Sequence, residues 1–240
     1  MSNVEEALDD LFSDAKGTES IQVELPSKGL AYKTGGTGPV KVRPLNYEDE
    51  RAIAAAKSDE NIISIILDRC VEGVNADDLL FSDRLFLTYM VRSVSFGDEI
   101  KLEATCRACA APNSLQINIS DLPISRADED FTGILEVDLE DLGKRARVRL
   151  PRVGDEEWFT STNKTLDNLW RFVIDIGGYN QANIISEAIK KMTSRDIKQI
   201  LKAVSNDEIG IESRAKYLCS SCKKENQVYI PINTDFFLAS

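Results

Sequence analysis

Histidine is absent from this 240-residue chain, which removes the commonest general base and the commonest imidazole metal ligand. Basic residues are in deficit. Lys and Arg total 29 against 40 Asp and Glu, for a net charge of −11. That balance argues against general affinity for phosphate backbones, which comes from cations displacing counterions, so nucleic acid is not expected as a primary partner. No apolar run approaches the ~20 residues needed to span a bilayer, and no basic region followed by an apolar stretch opens the chain. Phosphate-binding glycine loops are missing too. Gly35-Gly36-Thr37-Gly38 has neither the following Lys-Ser or Lys-Thr nor a helix after it. The carboxylates are many but scattered, and no pair stands out for acid/base work.

What is present is cysteine in an informative pattern. Cys106-Arg107-Ala108-Cys109 and Cys219-Ser220-Ser221-Cys222 use four of the five cysteines. In a chain expected to be made and folded in a reducing cytosol, such pairs point to metal binding or redox work and not to a disulfide framework. Each pair lies between runs that alternate apolar and polar residues. These are Ile100 to Thr105 and Ser114 to Ile119 around the first, Arg214 to Leu218 and Gln227 to Ile232 around the second. A CxxC at the tip of a hairpin lets two thiolates converge on one cation, and tetrahedral Zn2+ needs two such pairs. Cys106, Cys109, Cys219 and Cys222 are therefore the expected ligands of one structural zinc. The 109 residues between Cys109 and Cys219 exceed the usual ribbon spacing. By logarithmic loop closure the extra length costs roughly 1.6 kcal/mol, against about 10–16 kcal/mol of apparent zinc-binding energy. A thiol oxidoreductase is the enzyme alternative, but its CxxC should open a helix that lowers the nucleophile's pKa, and here a strand follows each pair.

Helical periodicity fills the intervals. Asn46 is the expected N-cap of a helix through Lys57, with Glu48, Asp49 and Glu50 in its first turn. Ser58 or Asp59 caps a second helix carrying Ile62, Ile63, Ile66, Leu67 and Cys70, and Cys70 is expected to face the core. Ser82 is the expected cap of a third, closed by Gly97. A second block starts near Thr165 with a helix through Ile174 ended by Gly177-Gly178. Two more helices follow, one with Ile184, Ile185 and Ile189, one capped by Thr193 or Ser194. Ahead of the first block, Ile21 to Leu25 and Val40 to Arg43 read as an N-terminal β-hairpin. Residues 134 to 150 read as another, with Lys144, Arg145, Arg147 and Arg149 on its outward face, either a solvated strand face or a docking patch for an acidic partner.

The fold class expected is α+β: two helical blocks, each followed by a CxxC zinc-knuckle β-hairpin, plus the N-terminal hairpin. The divisions are residues 1–20, a flexible acidic arm; 21–125; and 126–240, packed against the first half. Both halves run helices, strand, CxxC, strand, and Ile117 and Ile119 fall at the same offsets from their cysteines as Ile230 and Ile232, with Asp121 and Asp235 at nearly equal offsets. That order points to an internal duplication. In the arm Val4, Leu8, Leu11 and Phe12 recur at helical spacing opposite acidic residues. This is either a frayed tail or a docking segment that folds on a partner.

Leu25-Pro26-Ser27-Lys28-Gly29-Leu30-Ala31-Tyr32, then Val42-Arg43-Pro44-Leu45 with Glu48-Asp49-Glu50, then Asp83-Arg84 in a helix leading to Arg92, then Cys106-x-x-Cys109, form an ordered set. Over residues 21–125 it resembles the T4-type bacteriophage baseplate hub protein family. The resemblance implies a non-enzymatic hub component or hub assembly protein of a contractile tail. Its partners would be other hub or wedge proteins, and its place the virion tail baseplate if it is retained there. On this reading Pro26 and Gly29 set a turn, Tyr32 and Arg43 pack across the hairpin, and the ribbon projects to dock. Arg43, Asp83, Arg84 and Arg92 form either an internal ion-pair network or a partner contact. A zinc-ribbon regulator bound to a transcription enzyme is the alternative function.

Overall fold

The computed structural model describes residues 7, 10–11, 19–32, 38–56, 59–205, 208–233 and 236–237, with the backbone alone at 59–61. Its architecture is α+β, with helices set among small antiparallel sheets. β1 (Ile21–Val23), β2 (Val40–Val42) and β3 (Val71–Glu72) form the first sheet in that order. Val40 and Val42 point into the core while Lys41 faces out to pair with Glu72 on β3, the period-two pattern of a half-buried strand. α1 (Tyr47–Ala54) begins at Asn46, whose side chain accepts from the Asp49 amide while the Asp49 carboxylate accepts from the Asn46 amide. This reciprocal box satisfies two helix-end donors. α2 (Asp59–Cys70) leads directly into β3.

α3 (Phe81–Phe96) is the central core helix, burying Phe86, Leu87, Tyr89 and Val91. Its N-cap is Leu80, without a side-chain cap bond, and Ser82 lies inside the first turn. The expected serine cap is thus absent, and the Tyr32 hydroxyl accepts from the Leu80 amide at 3.0 Å. Gly97 closes the helix as expected, at φ 84°. There follow β4 (Glu99–Thr105) and β5 (Pro112–Asn118), a ribbon in register from Glu99↔Asn118 to Thr105↔Pro112, and the short β6 (Ile124–Ser125).

The second half opens with β7 (Ile134–Leu139) and β8 (Lys144–Arg149), paired as expected. The run around Thr165 departs from expectation. α4 spans only Thr162–Asn168, a 3-10 turn follows, and Val173–Ile176 is a strand, β9, on the open edge of β8. The apolar spacing of Leu169, Trp170, Val173 and Ile174 is that of a helix face, and tertiary pairing overrides it. The β-branched residues and the unpaired edge decide for the strand. α5 (Ala182–Lys191) and α6 (Ser194–Val204) come next, the latter capped by the Thr193 side chain. β10 (Gly210–Ile211) pairs with β6, and β11 (Arg214–Leu218) with β12 (Glu225–Tyr229) closes the fold.

Two large apolar clusters hold these elements, beside a small third one of Ala31, Leu80 and Leu150. The first joins Leu25, Val42, Ile53, Ile66, Cys70 and the α3 side chains to Ile211, Ile230, Phe236 and Phe237 from the far end of the chain. The second gathers Val137, Leu139, Ala146 and Val148 under Phe172, Ile185, Ile200 and Val204. Cys70 is buried as expected, and burial pushes its thiol up to about 12.

Buried carboxylates recur in matching places. Asp49 receives both terminal nitrogens of Arg43, at 2.6 and 3.2 Å, and the Asn46 amide at 2.9 Å. Asp155 receives those of Arg149, at 2.6 and 3.0 Å, and the Arg152 amide at 2.9 Å. Asp83, third residue of α3, accepts the Ser27 amide at 3.0 Å together with the Ser27 and Tyr32 hydroxyls. Asp196, third residue of α6, accepts the Asp141 and Leu142 amides at 3.1 and 3.0 Å. In each half a helix-borne carboxylate therefore ties down the loop of the preceding hairpin.

Candidate metal centre

The two CxxC segments have the same local fold. Cys106 donates its amide to the Ala111 carbonyl and accepts from the Ala110 amide; Cys219 donates to Lys224 and accepts from Lys223. Ala110 and Lys223 each directly follow the second cysteine, and each takes a left-handed conformation, φ 57° and 59°. An ordinary side chain adopts that backbone at a cost. Here it turns the chain tightly enough to aim both sulfurs of a pair to one side.

The tips of the β4–β5 and β11–β12 ribbons meet. All four Sγ atoms lie within 4.8 Å of one another. Cys106 is 3.7 Å from Cys222 and Cys109 is 3.7 Å from Cys219. A disulfide would hold sulfurs at about 2.05 Å. A tetrahedron of thiolates on zinc, with Zn–S near 2.3 Å, has edges of about 3.8 Å. The closest cross-knuckle pairs thus stand at the spacing of a shared tetrahedral ion. Cys106 and Cys219 are buried, Cys222 is half-buried and Cys109 is exposed, so one edge of the cluster faces solvent.

Hydrogen bonds prepare the sulfurs for charge. The Ala108 amide, then that of Cys109, draws the Cys106 thiol down. The Cys222 amide, with help from Ser221, brings Cys219 to about 6. At Cys109 the Ala111 amide pulls down, but the Cys222 and other neighbouring thiols, with burial, leave it raised to about 11. A cation binds deprotonated sulfur, so its entry into the cluster would displace the protons that the thiols carry.

Two asparagines that lie outside the four-cysteine pattern hold the knuckles together. Asn113, on β5, crosses to the second knuckle: its carbonyl oxygen accepts from the Ser220 amide at 2.8 Å and its amide reaches the Cys219 sulfur at 3.8 Å. Asn226, on β12, crosses the other way, accepting from the Arg107 amide at 3.1 Å and donating to the Cys106 sulfur at 3.4 Å. Both are nearly fully buried. Each stands four residues after its second cysteine, so a shared Cys-x-x-Cys-x-x-x-Asn spacing was the available signal.

The other residues singled out by sequence do not join this cluster. Tyr32 and Arg43 do not pair across the N-terminal hairpin: Tyr32 turns to Asp83 and Arg43 to Asp49. The Leu25–Tyr32 motif is not a projecting ribbon either. Leu25, Pro26, Ser27, Gly29 and Ala31 are buried, because Asp83 draws the loop onto α3. Nor do Arg43, Asp83, Arg84 and Arg92 form one network. Arg84 makes a bidentate bridge to Glu156 across the halves, 2.8 Å at each nitrogen. Arg92 donates to the Gly97 and Glu99 carbonyls. On the second-half hairpin, Arg145 pairs with Glu136 and Asp138, Arg147 with Asp175, and Arg149 with Asp155. Of the arm's apolar stripe, Leu11 is exposed, while Val4, Leu8 and Phe12 lie outside the described residues, as do Ser58 and Asp235.

Compared with known proteins, residues 18–238 match the family model described as T4 bacteriophage base plate protein. No curated protein and no solved structure gives a significant match.

Proposed function

The chain belongs to the T4 bacteriophage base plate protein family, and from that premise we propose that it is a non-enzymatic component or assembly factor of the central baseplate hub, held rigid by one structural Zn2+ on Cys106, Cys109, Cys219 and Cys222. Family membership makes it a structural protein of the phage tail; the hub role and the metal are the proposal. The observation that carries it is the convergence of four sulfurs from two distant hairpins within 4.8 Å of one another, the closest cross-knuckle pairs at 3.7 Å. Zinc suits all-thiolate sites and adds no redox chemistry of its own. Its binding energy would fasten the two ends of the described fold together.

We read the body as two copies of one unit, 21–125 and 126–240, following an arm of residues 1–20. Support comes from recurrences beyond the cysteines. The Arg43–Asp49 and Arg149–Asp155 motifs lie 106 positions apart, while Asp83 and Asp196, Gly97 and Gly210, and both cysteine pairs lie 113 apart. Both capping carboxylates bind their arginine through the same pairs of atoms. The units interlock, since Ile230, Phe236 and Phe237 complete the core of the first.

The alternatives lack support. Both CxxC pairs precede strands and not helices, which removes the helix N-terminus a thiol oxidoreductase uses. A zinc-ribbon regulator would present a coherent basic surface or bind a transcription enzyme directly, and the first of these is not favoured, because the arginines of the densest basic strand are matched by carboxylates. The arm, with Val4, Leu8, Leu11 and Phe12, is the docking segment in this reading, and hub or wedge subunits are its partners. The chain would be synthesised in the host cytoplasm and act in the tail. Co-expression with the other baseplate proteins tests this. The full chain is expected to capture a hub or wedge protein, and removing residues 1–20 to weaken capture. Capture of no baseplate protein overturns the hub role, and unchanged capture without residues 1–20 overturns the arm's.

A further inference from the structure

Deepening the metal reading above, on which it rests, we propose that Asn113 and Asn226 are positioning residues of the metal centre, exchanged between the two halves so that ion capture and knuckle docking become one step. The geometry is reciprocal. Each asparagine leaves its own knuckle, accepts a backbone amide inside the other's CxxC (Ser220 or Arg107) and directs its amide group at the other's first, buried cysteine. Each is also anchored at home, Asn113 to the Ala111 carbonyl and Asn226 to the Lys224 carbonyl, both at 2.9 Å. The Asn113 oxygen also accepts from the Ser220 hydroxyl at 3.0 Å, and the Asn226 oxygen lies 3.7 Å from the Cys106 sulfur. Four contacts per side chain fix its rotamer, so the sulfur-directed donor is aimed before any ion arrives.

The consequence is chemical. A thiolate that accepts a hydrogen bond loses less on desolvation and is held in place, and partners of metal ligands are worth about 10–100-fold in metal affinity. Because each donor comes from the opposite half, neither knuckle is complete alone. A chain with one damaged knuckle should therefore lose order at the other, and no half-formed two-thiolate site should persist. The solvent-facing edge at Cys109 leaves the ion an entry path, while Cys106 and Cys219, the sulfurs served by the asparagines, are sealed inside.

The test uses the full chain, with Zn2+ affinity measured by chelator competition and ligand geometry read from the ligand-field spectrum of the Co2+-loaded protein. Asn113→Ala and Asn226→Ala are each expected to weaken Zn2+ by about 10–100-fold, and each to shift the Co2+ spectrum. A purely structural role would lower thermal stability with spectrum and affinity unmoved. Asn113→Asp keeps the acceptor for Ser220 and removes the donor to Cys219, so it answers the same question if the alanine variants fail to fold. Wild-type affinity and spectrum in that variant, or in both alanine variants, overturn the proposal. A wild-type chain that binds no metal instead overturns the zinc reading beneath it.

Discussion

Asp49→Ala should be among the most damaging single changes outside the cysteines. Its carboxylate is almost wholly buried, yet it receives Arg43 through two nitrogens, the Arg69 Nε at 2.6 Å and the Asn46 amide. Burial works against the charge, but the Arg43 bonds, the Asn46 amide and Arg69 outweigh it and hold the carboxyl well below the usual carboxylate range. Breaking a buried ion pair costs about 3–5 kcal/mol. Here the side chains of Arg43 and Arg69 are 30% and 41% exposed, so water can take over part of their solvation, and the lower end, about 3 kcal/mol, is expected. Asp155→Ala, with a single arginine partner, should cost about 2 kcal/mol by the same reasoning. A depressed carboxylate stabilises the fold above its unfolded pKa of about 3.9, and that contribution fades as pH falls through and below this value. Urea unfolding of wild type and Asp49→Ala at about pH 7 and about pH 3 measures both effects, and the gap between the two proteins should narrow in acid. A loss below about 1 kcal/mol at neutral pH, or a gap that does not change with pH, would refute the reasoning.

Tyr32→Phe removes a donor to Asp83 and the acceptor of the Leu80 amide. It should cost about 2 kcal/mol in chemical unfolding, and a neutral result would mean that the Tyr32 hydroxyl does not help to hold that loop. Gly133→Ala places a methyl 2.9 Å from the Ala31 Cβ at a backbone φ of +71°. A loss of about 1–3 kcal/mol is expected, read as a lower urea midpoint, and an unchanged midpoint would contradict the packing of that turn.

The parts of the fold that were legible in sequence are those where local chemistry suffices. The ribbons flanking both cysteine pairs alternate cleanly, Asn46 and Thr193 can cap only a following helix, and Gly97 meets a positive φ. What escaped depends on distant partners. Val173–Ile176 becomes a strand because the edge of β8 is free, which no periodicity reveals. The Leu25–Tyr32 segment looks like an exposed turn until Asp83, 56 positions from Ser27, draws it inward. Of the candidate metal centre, the four sulfurs could be named from spacing. Asn113 and Asn226 share a spacing too, four residues after each pair, but their supporting role was hidden, because a polar residue on a strand reads as solvent-facing until the opposing knuckle buries it.

The central claim is that sulfurs from both ends of the described fold share one ion. Elemental analysis of the purified full chain beside Cys219→Ser tests it most directly. One zinc per chain in the wild type, with zinc and cooperative unfolding both lost in the variant, is the predicted result. A metal-free wild type that unfolds cooperatively, or a Cys219→Ser chain that retains its zinc, would contradict it.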